Sequence, residues 1–152
     1  IASASVDSVL LLDVLEHLHN PVLCLQEVDR VLKPGGVFCL QVPFMYPEHD
    51  APLDYSRWTQ FGLRKLIDEF HLEICIEKSF GKPIETAVLF INIALAKILV
   101  RWFQRKSLAL CFSPVVLSFI LLANLFGYIL AKLSPEDNMM AHGYRLVLRK
   151  HS

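Results

Sequence analysis

Apolar residues change their spacing several times along this chain, and each change marks an element. Residues 9–12 are an unbroken apolar run, the pattern of a strand buried on both faces of a parallel sheet. Asn20 can cap a helix that Pro21 opens and that runs to Leu32, with Cys24, Leu25, Val28, Val31 and Leu32 on one face and Gln26, Glu27, Asp29 and Arg30 on the other. Pro34, Gly35 and Gly36 then turn the chain into a second apolar run, residues 37–42, so that the three pieces form one βαβ unit. Thr59 can cap a further helix whose stripe is Leu63, Leu66, Ile67 and Phe70. Leu72, Ile74 and Ile76 alternate with Glu73, Cys75 and Glu77, as in a half-buried strand near a sheet edge, and residues 144–150 read as another strand.

A different pattern lies between those last two strands. Residues 86–96 and 107–131 carry no charge, and as a helix the second run would reach about 37 Å while the first would reach about 17 Å. If residues 144–150 rejoin the sheet, the insertion crosses a membrane an even number of times or not at all. A two-pass hairpin would carry Arg101, Arg105 and Lys106 away from the domain, against the positive-inside bias. Lys97, Arg101 and Arg105 recur every fourth residue among Leu95, Ile98, Leu99, Trp102 and Phe103, a pattern that suits the interface of an anionic membrane. Pro114 and Asn124 weaken a straight spanning helix. The expectation is a hydrophobic helical hairpin over 85–135 that lies on the cytoplasmic membrane face and covers a pocket; the alternative buries it between two protomers. The remainder, 1–84 and 140–152, is expected to form one domain.

Composition narrows the function classes. The 152 residues balance 15 Lys and Arg against 15 Asp and Glu, with a pI near 7.2, so nothing electrostatic points to nucleic acid. Cys24, Cys39, Cys75 and Cys111 have no CxxC spacing and sit in apolar runs, as reduced thiols of a cytoplasmic protein do.

Asp13, Glu16 and His17 are the first chemical constellation, and a helical turn at the end of the first strand would bring them to one side. After Val42, a loop with Pro43, Pro47 and Pro52 leaves a strand end and so overhangs the ligand side of a doubly wound sheet. His49, Asp50 and Asp54 supply proton-transfer groups there, and Phe44, Tyr46, Tyr55 and Trp58 supply walls. Arg57 can pair an anionic substrate group or Asp54 beside it.

Asp7-Ser8-Val9, Asp13-Val14-Leu15-Glu16-His17-Leu18, Arg30-Val31-Leu32-Lys33-Pro34-Gly35-Gly36, Val42-Pro43 and Asp54-Tyr55-Ser56-Arg57-Trp58-Thr59 together resemble the class I S-adenosylmethionine-dependent methyltransferases, in particular the type 11 and type 12 group and the ubiquinone-type O-methyltransferases. The resemblance implies an α/β fold, the fourth to seventh strands of a Rossmann-like sheet, with the seventh antiparallel. It also implies cofactor contact at Leu12, Asp13 and Val14, while the residues themselves offer Pro43, Tyr55 and Arg57 as substrate-side contacts and His17 and His49 as catalytic groups. In the ubiquinone-type enzymes the acidic-x-x-Glu-His pattern holds a divalent cation, whereas ordinary turn capping explains the same residues here without one, and no metal is assigned. The family's Gly-rich loop and the acidic end of its second strand are not in the sequence, so the chain is expected to be a C-terminal part that binds S-adenosylmethionine weakly by itself. The implied function is methyl transfer to oxygen or nitrogen of a small, lipid-linked or glycan-linked acceptor. The other class kept open is a non-catalytic membrane- or partner-binding fragment.

Overall fold

The computed structural model describes residues 1–135 and 137–151. Ser152, at the end of the expected C-terminal segment, lies outside the described residues. The chain divides into two compact units, Ile1–Phe80 with His142–Ser152, and Gly81–Ala141.

The first unit is a four-stranded sheet with two helices. In chain order it contains β1 (Val6–Leu12), a 3-10 turn (Leu15–His17), α1 (Pro21–Val31), β2 (Leu32–Pro43), α2 (Gln60–Ile67), β3 (Leu72–Phe80) and finally β4 (Gly143–Lys150). The strand order is β1-β2-β4-β3, with β1 parallel to β2 and β4 antiparallel to both neighbours. β1, β2 and β3 therefore run the same way, and their carboxyl ends share one edge with the start of β4. The caps are where the sequence puts them. Asn20 accepts from the Leu23 N–H and Thr59 from the Gly62 N–H. Phe38, Leu40 and Val42 alternate along β2 and are fully buried, as are Leu25 of α1, Leu63 and Ile67 of α2, and Leu146 and Leu148 of β4.

Three local expectations are corrected. β1 has a strand on one side only, so the run expected to be buried on both faces leaves Leu10 66% exposed. Residues 33–36 do not turn the chain between elements. They are an irregularity inside β2, where Val6 pairs with Leu32 and Ser8 already with Val37. Gly35 takes φ +75°, and a Cβ on Gly36 would stand 2.8 Å from the Lys33 carbonyl oxygen, which is why two glycines sit here. A second bulge interrupts β3, where Ile74 pairs with Leu148 and Ile76 with Val147. It reverses the alternation after Cys75, so Ile76 is 49% exposed and Glu77 turns in to meet Arg64 at 2.7 Å.

The second unit is a helical hairpin, α3 (Pro83–Gln104) and α4 (Ser113–Leu133), joined through a 3-10 turn (Leu108–Phe112). Its base is closed by polar contacts. The Glu85 carboxylate accepts from the Lys82 N–H at 2.7 Å, and the Lys82 ammonium donates to the carbonyls of Ala131 at 2.8 Å and Ser134 at 3.2 Å. The buried Thr86 hydroxyl donates to the Met140 carbonyl. Between the helices Gly127 lies against Val88, where a Cβ would come within 2.7 Å of a methyl carbon, and Asn92 donates to the Asn124 amide oxygen at 2.9 Å.

Candidate functional site

The edge at which three parallel strands end carries a cavity of about 300 Å3, lined by Asp13, Glu16, Gln41, Pro43, Tyr46, His49, Phe80 and His142. Each wall comes from a strand end. Gln41 and Pro43 finish β2, Phe80 finishes β3, and His142 precedes β4, whose Gly143 pairs with both Pro43 and Phe80. The turn after β1 begins with Asp13 at φ +52°, a conformation Asp tolerates. Asp13 lies outside the 3-10 turn that carries Glu16 and His17 but lines the same cavity as Glu16. Its carboxylate accepts from the Gln41 amide at 2.7 Å, and Gln41 in turn accepts from Arg145 at 2.7 Å.

Glu16 and His17 meet His49. One ligand atom from each of the three lies within 4.8 Å of the others, and the two imidazoles stand edge to face with centroids 4.8 Å apart. The loop that brings His49 there is fastened to the turn after β1. The Tyr55 N–H donates to the Glu16 carbonyl at 2.9 Å, and His17 Nδ1 lies 2.9 Å from the Leu53 carbonyl oxygen. A carbonyl only accepts, so His17 Nδ1 carries hydrogen and Nε2 is left facing the Glu16 carboxylate at 3.7 Å. Glu16 is fully buried, neither of its oxygens has a hydrogen-bond partner among the described residues, and burial pushes its pKa up. A proton between Glu16 and His17 is what this geometry calls for.

His49 is oriented from behind. Its Nδ1 faces the Pro47 carbonyl at 3.2 Å, the Asp54 carboxylate at 3.3 Å and an Arg57 guanidinium nitrogen at 3.3 Å. Asp54 is itself fixed by two hydrogen bonds from Arg57, at 2.5 and 2.6 Å, and by the His49 N–H at 2.9 Å. The Arg57 guanidinium holds the Asp54 carboxyl well below the usual carboxylate range.

The residues expected on the substrate side divide. Pro43 lines the cavity. Tyr55 and Arg57 line a separate shallow depression with Tyr46, Glu48, Asp54 and Ser56, and the Arg57 guanidinium also donates to the carbonyls of Ser56 and Pro47. Leu12 and Val14 flank Asp13 with their side chains largely exposed at the end of β1. Phe44 packs on Tyr144, and Tyr55 on His19, each at 5.5 Å. Phe80 and His142 were not among the expected site residues, and only strand register places them. Once residues 144–150 lie antiparallel beside β2, whatever precedes them stands next to Pro43.

Residues 1–40 match the family model of the methyltransferase domain. The chain is similar in structure to the (4+2)-cyclase SpnF, with a TM-score of 0.57 and 15% identity over 99% of this chain and 52% of that one. A candidate sarcosine dimethylglycine methyltransferase from Galdieria sulphuraria gives a TM-score of 0.52 and 19% identity over 99% of this chain and 55% of that one. The chain spans about half the length of these structures. No protein of curated function matches it by sequence. A cyclase with this fold shows that the fold does not by itself dictate the reaction.

Proposed function

With residues 1–40 in the methyltransferase domain family and the sheet in the class I S-adenosylmethionine-dependent methyltransferase fold, we propose that this chain supplies the acceptor side of a methyl transfer. The acceptor is an oxygen or nitrogen of a small molecule, free or linked to a lipid or glycan. One observation carries the reading: three parallel strands end at a cavity into which face an oriented imidazole and a buried carboxylate whose oxygens have no hydrogen-bond partner among the described residues.

His49 is the proton acceptor. With Nδ1 held toward Pro47 and Asp54, its Nε2 is the nitrogen left for an acceptor hydroxyl or ammonium, and Asp54 steadies the imidazolium that forms. Glu16 and His17 form a second proton-holding pair behind it, while Arg57 positions Asp54. S-adenosylmethionine supplies an activated methyl group when bound, and Leu12, Asp13 and Val14 would hold it, their bare apolar surface and carboxylate suiting an uncharged ring and a polar tail. Tyr46, Phe80 and Pro43 shield the acceptor from water, and most of the remaining rate enhancement comes from placement.

In methyl-transfer assays on the chain within its natural flanking sequence, His49→Ala is expected to lower kcat/KM by about 10²- to 10⁴-fold, with the loss shrinking as pH rises above the acceptor's own pKa. Unchanged turnover in both His49→Ala and His17→Ala would end this assignment. A second reading rests on the same trio, since one carboxylate and two imidazoles are a donor set for a divalent cation that orients the acceptor. Activity abolished by a chelator and restored by added metal would favour it over the proton relay.

A further inference from the structure

The hairpin unit shows exposure that water does not support. In the 26 residues from Leu108 to Leu133 no position of the most apolar window is buried, and in α3 only 6% of the corresponding window is. Val115, Leu117, Phe119, Leu121, Leu122, Leu125, Phe126 and Ile129 are exposed over slightly more than half the circumference of α4. A helix lying flat on a membrane buries one stripe and turns a polar stripe to water. α4 has no such polar stripe, so its outward surface calls for apolar surroundings on every side that α3 does not cover.

We propose that α3 and α4 form a lipid-inserted hairpin whose cations meet anionic headgroups. Three observations select lipid. At 21 residues α4 measures about 32 Å, close to the hydrocarbon thickness of a bilayer, whereas the uncharged run of α3, residues 86–96, covers about 17 Å before Lys97 and Arg101. At mid-length Asn92 donates to the Asn124 amide oxygen at 2.9 Å while Asn124 donates to the Ile120 carbonyl at 2.8 Å, and small Gly127 lets the helices close on Val88, as helices packing in lipid do. From Thr86 to Ser134 there is no acidic residue, while Lys97, Arg101, Arg105, Lys106 and Lys132 give five positive charges. A second copy of this hairpin would bring five more cations against these, whereas anionic lipid neutralises them. The groove between the helices, about 420 Å3, is lined wholly by apolar side chains, among them Val88, Ile91, Phe119, Leu122 and Phe126, and suits an acyl chain.

The test is flotation of the purified full chain with vesicles of phosphatidylcholine alone or with one third phosphatidylglycerol, followed by extraction at pH 11. Insertion predicts that the protein floats with both, more completely with the anionic vesicles, and stays bound through alkaline extraction. Replacing Leu121 and Leu125, which lie off that groove, with Glu is expected to cut the floated fraction at least tenfold. These side chains face outward, so circular dichroism in detergent stays unchanged and excludes misfolding as the cause. Release by 1 M salt or by pH 11 would overturn insertion in favour of surface adsorption. A discrete, detergent-free dimer that does not float would overturn it in favour of a second copy as the cover.

Discussion

In the sheet unit Phe38 and Leu40 are sealed from solvent and a carboxylate, Glu16, is sealed with them; in the two helices of the hairpin unit Phe119, Leu122 and Phe126 stand more than half exposed, and the buried positions are Thr86, Gly127 and Ala131. The two arrangements are opposite in sign. One places large apolar groups inward and stores a few polar groups beside a cavity. The other places small groups inward, so that two backbones approach, and turns large apolar groups outward. Apolar surface is hidden from water in the first case by the protein itself, whereas in the second nothing in the unit hides it. The difference teaches that a hydrophobic run specifies a surrounding, and that the surrounding need not be protein.

The largest effect should come from the core that the sheet unit closes. Phe38→Ala removes a fully buried ring from the central part of β2 and is expected to cost about 3–5 kcal/mol, while Phe126→Ala, at a position 64% exposed, should stay within about 0.5 kcal/mol. Urea unfolding in mild detergent separates them, because Trp58 lies in the sheet unit and Trp102 in the hairpin. If the two substitutions cost the same, α4 is packed on protein and the contrast fails.

Next in size is the polar strut behind His49. Asp54 is 3% exposed with Arg57 beside it, and Asp54→Asn leaves that guanidinium without its counter-charge, at an expected cost of about 3 kcal/mol. The sign with pH follows from the depressed carboxyl. The ionised form is favoured in the folded state, so its contribution is complete above the ordinary Asp pKa of about 3.9 and fades as pH falls below it. Melting temperatures of the wild type and the Asn variant should therefore converge between pH 4 and pH 2. A difference that persists unchanged to pH 2 would deny the pair its electrostatic role.

Glu16 should behave in the opposite way. Burial raises its pKa, so the folded state holds the proton more tightly than the unfolded one, and stability falls as pH climbs from about 4.3 through the raised value. Glu16→Gln removes that penalty and should gain about 1–3 kcal/mol at pH 8 while losing activity, the trade expected where a buried polar group serves chemistry and not packing. A variant that is less stable at pH 8 would show the carboxylate to be structural.

How much of this was readable in the residues depended on how far apart in the chain the deciding partners lie. The βαβ unit and the Asn20 and Thr59 caps follow from local pattern, the antiparallel last strand was implied by the family resemblance, and all are present. The irregularity at residues 33–36 and the bulge after Ile74 are properties of pairing between strands, which the spacing of apolar residues along one strand does not encode. The site divides in the same way. Glu16 and His17 are neighbours and were found together. Asp13 was grouped with them because helical spacing was assumed, and its positive φ takes it out of the turn. His142 reaches the cavity through a register set at Pro43, far away in the chain. Arg57 could face substrate or Asp54 by sequence, and two hydrogen bonds to one carboxylate place it with Asp54.

The smallest effect bears most directly on what surrounds the hairpin. Asn92 donates to Asn124 at 2.9 Å, and Asn124 donates to the Ile120 carbonyl at 2.8 Å. In water either amide can exchange its partner for solvent, so Asn92→Leu should be neutral there. In hydrocarbon no solvent is available, and the lost contact should cost about 0.6 kcal/mol, with an upper range near 1.7 kcal/mol. The measurement is the fraction of closed hairpin, read by fluorescence transfer between labels on the two helices, in detergent-free buffer with a solubilising amphipol and in vesicles. A cost confined to vesicles ties the pair to a dry setting. An equal cost in both would mean that the helices exclude water by themselves, and the outward apolar surface would then be the only feature that distinguishes this unit from a soluble hairpin.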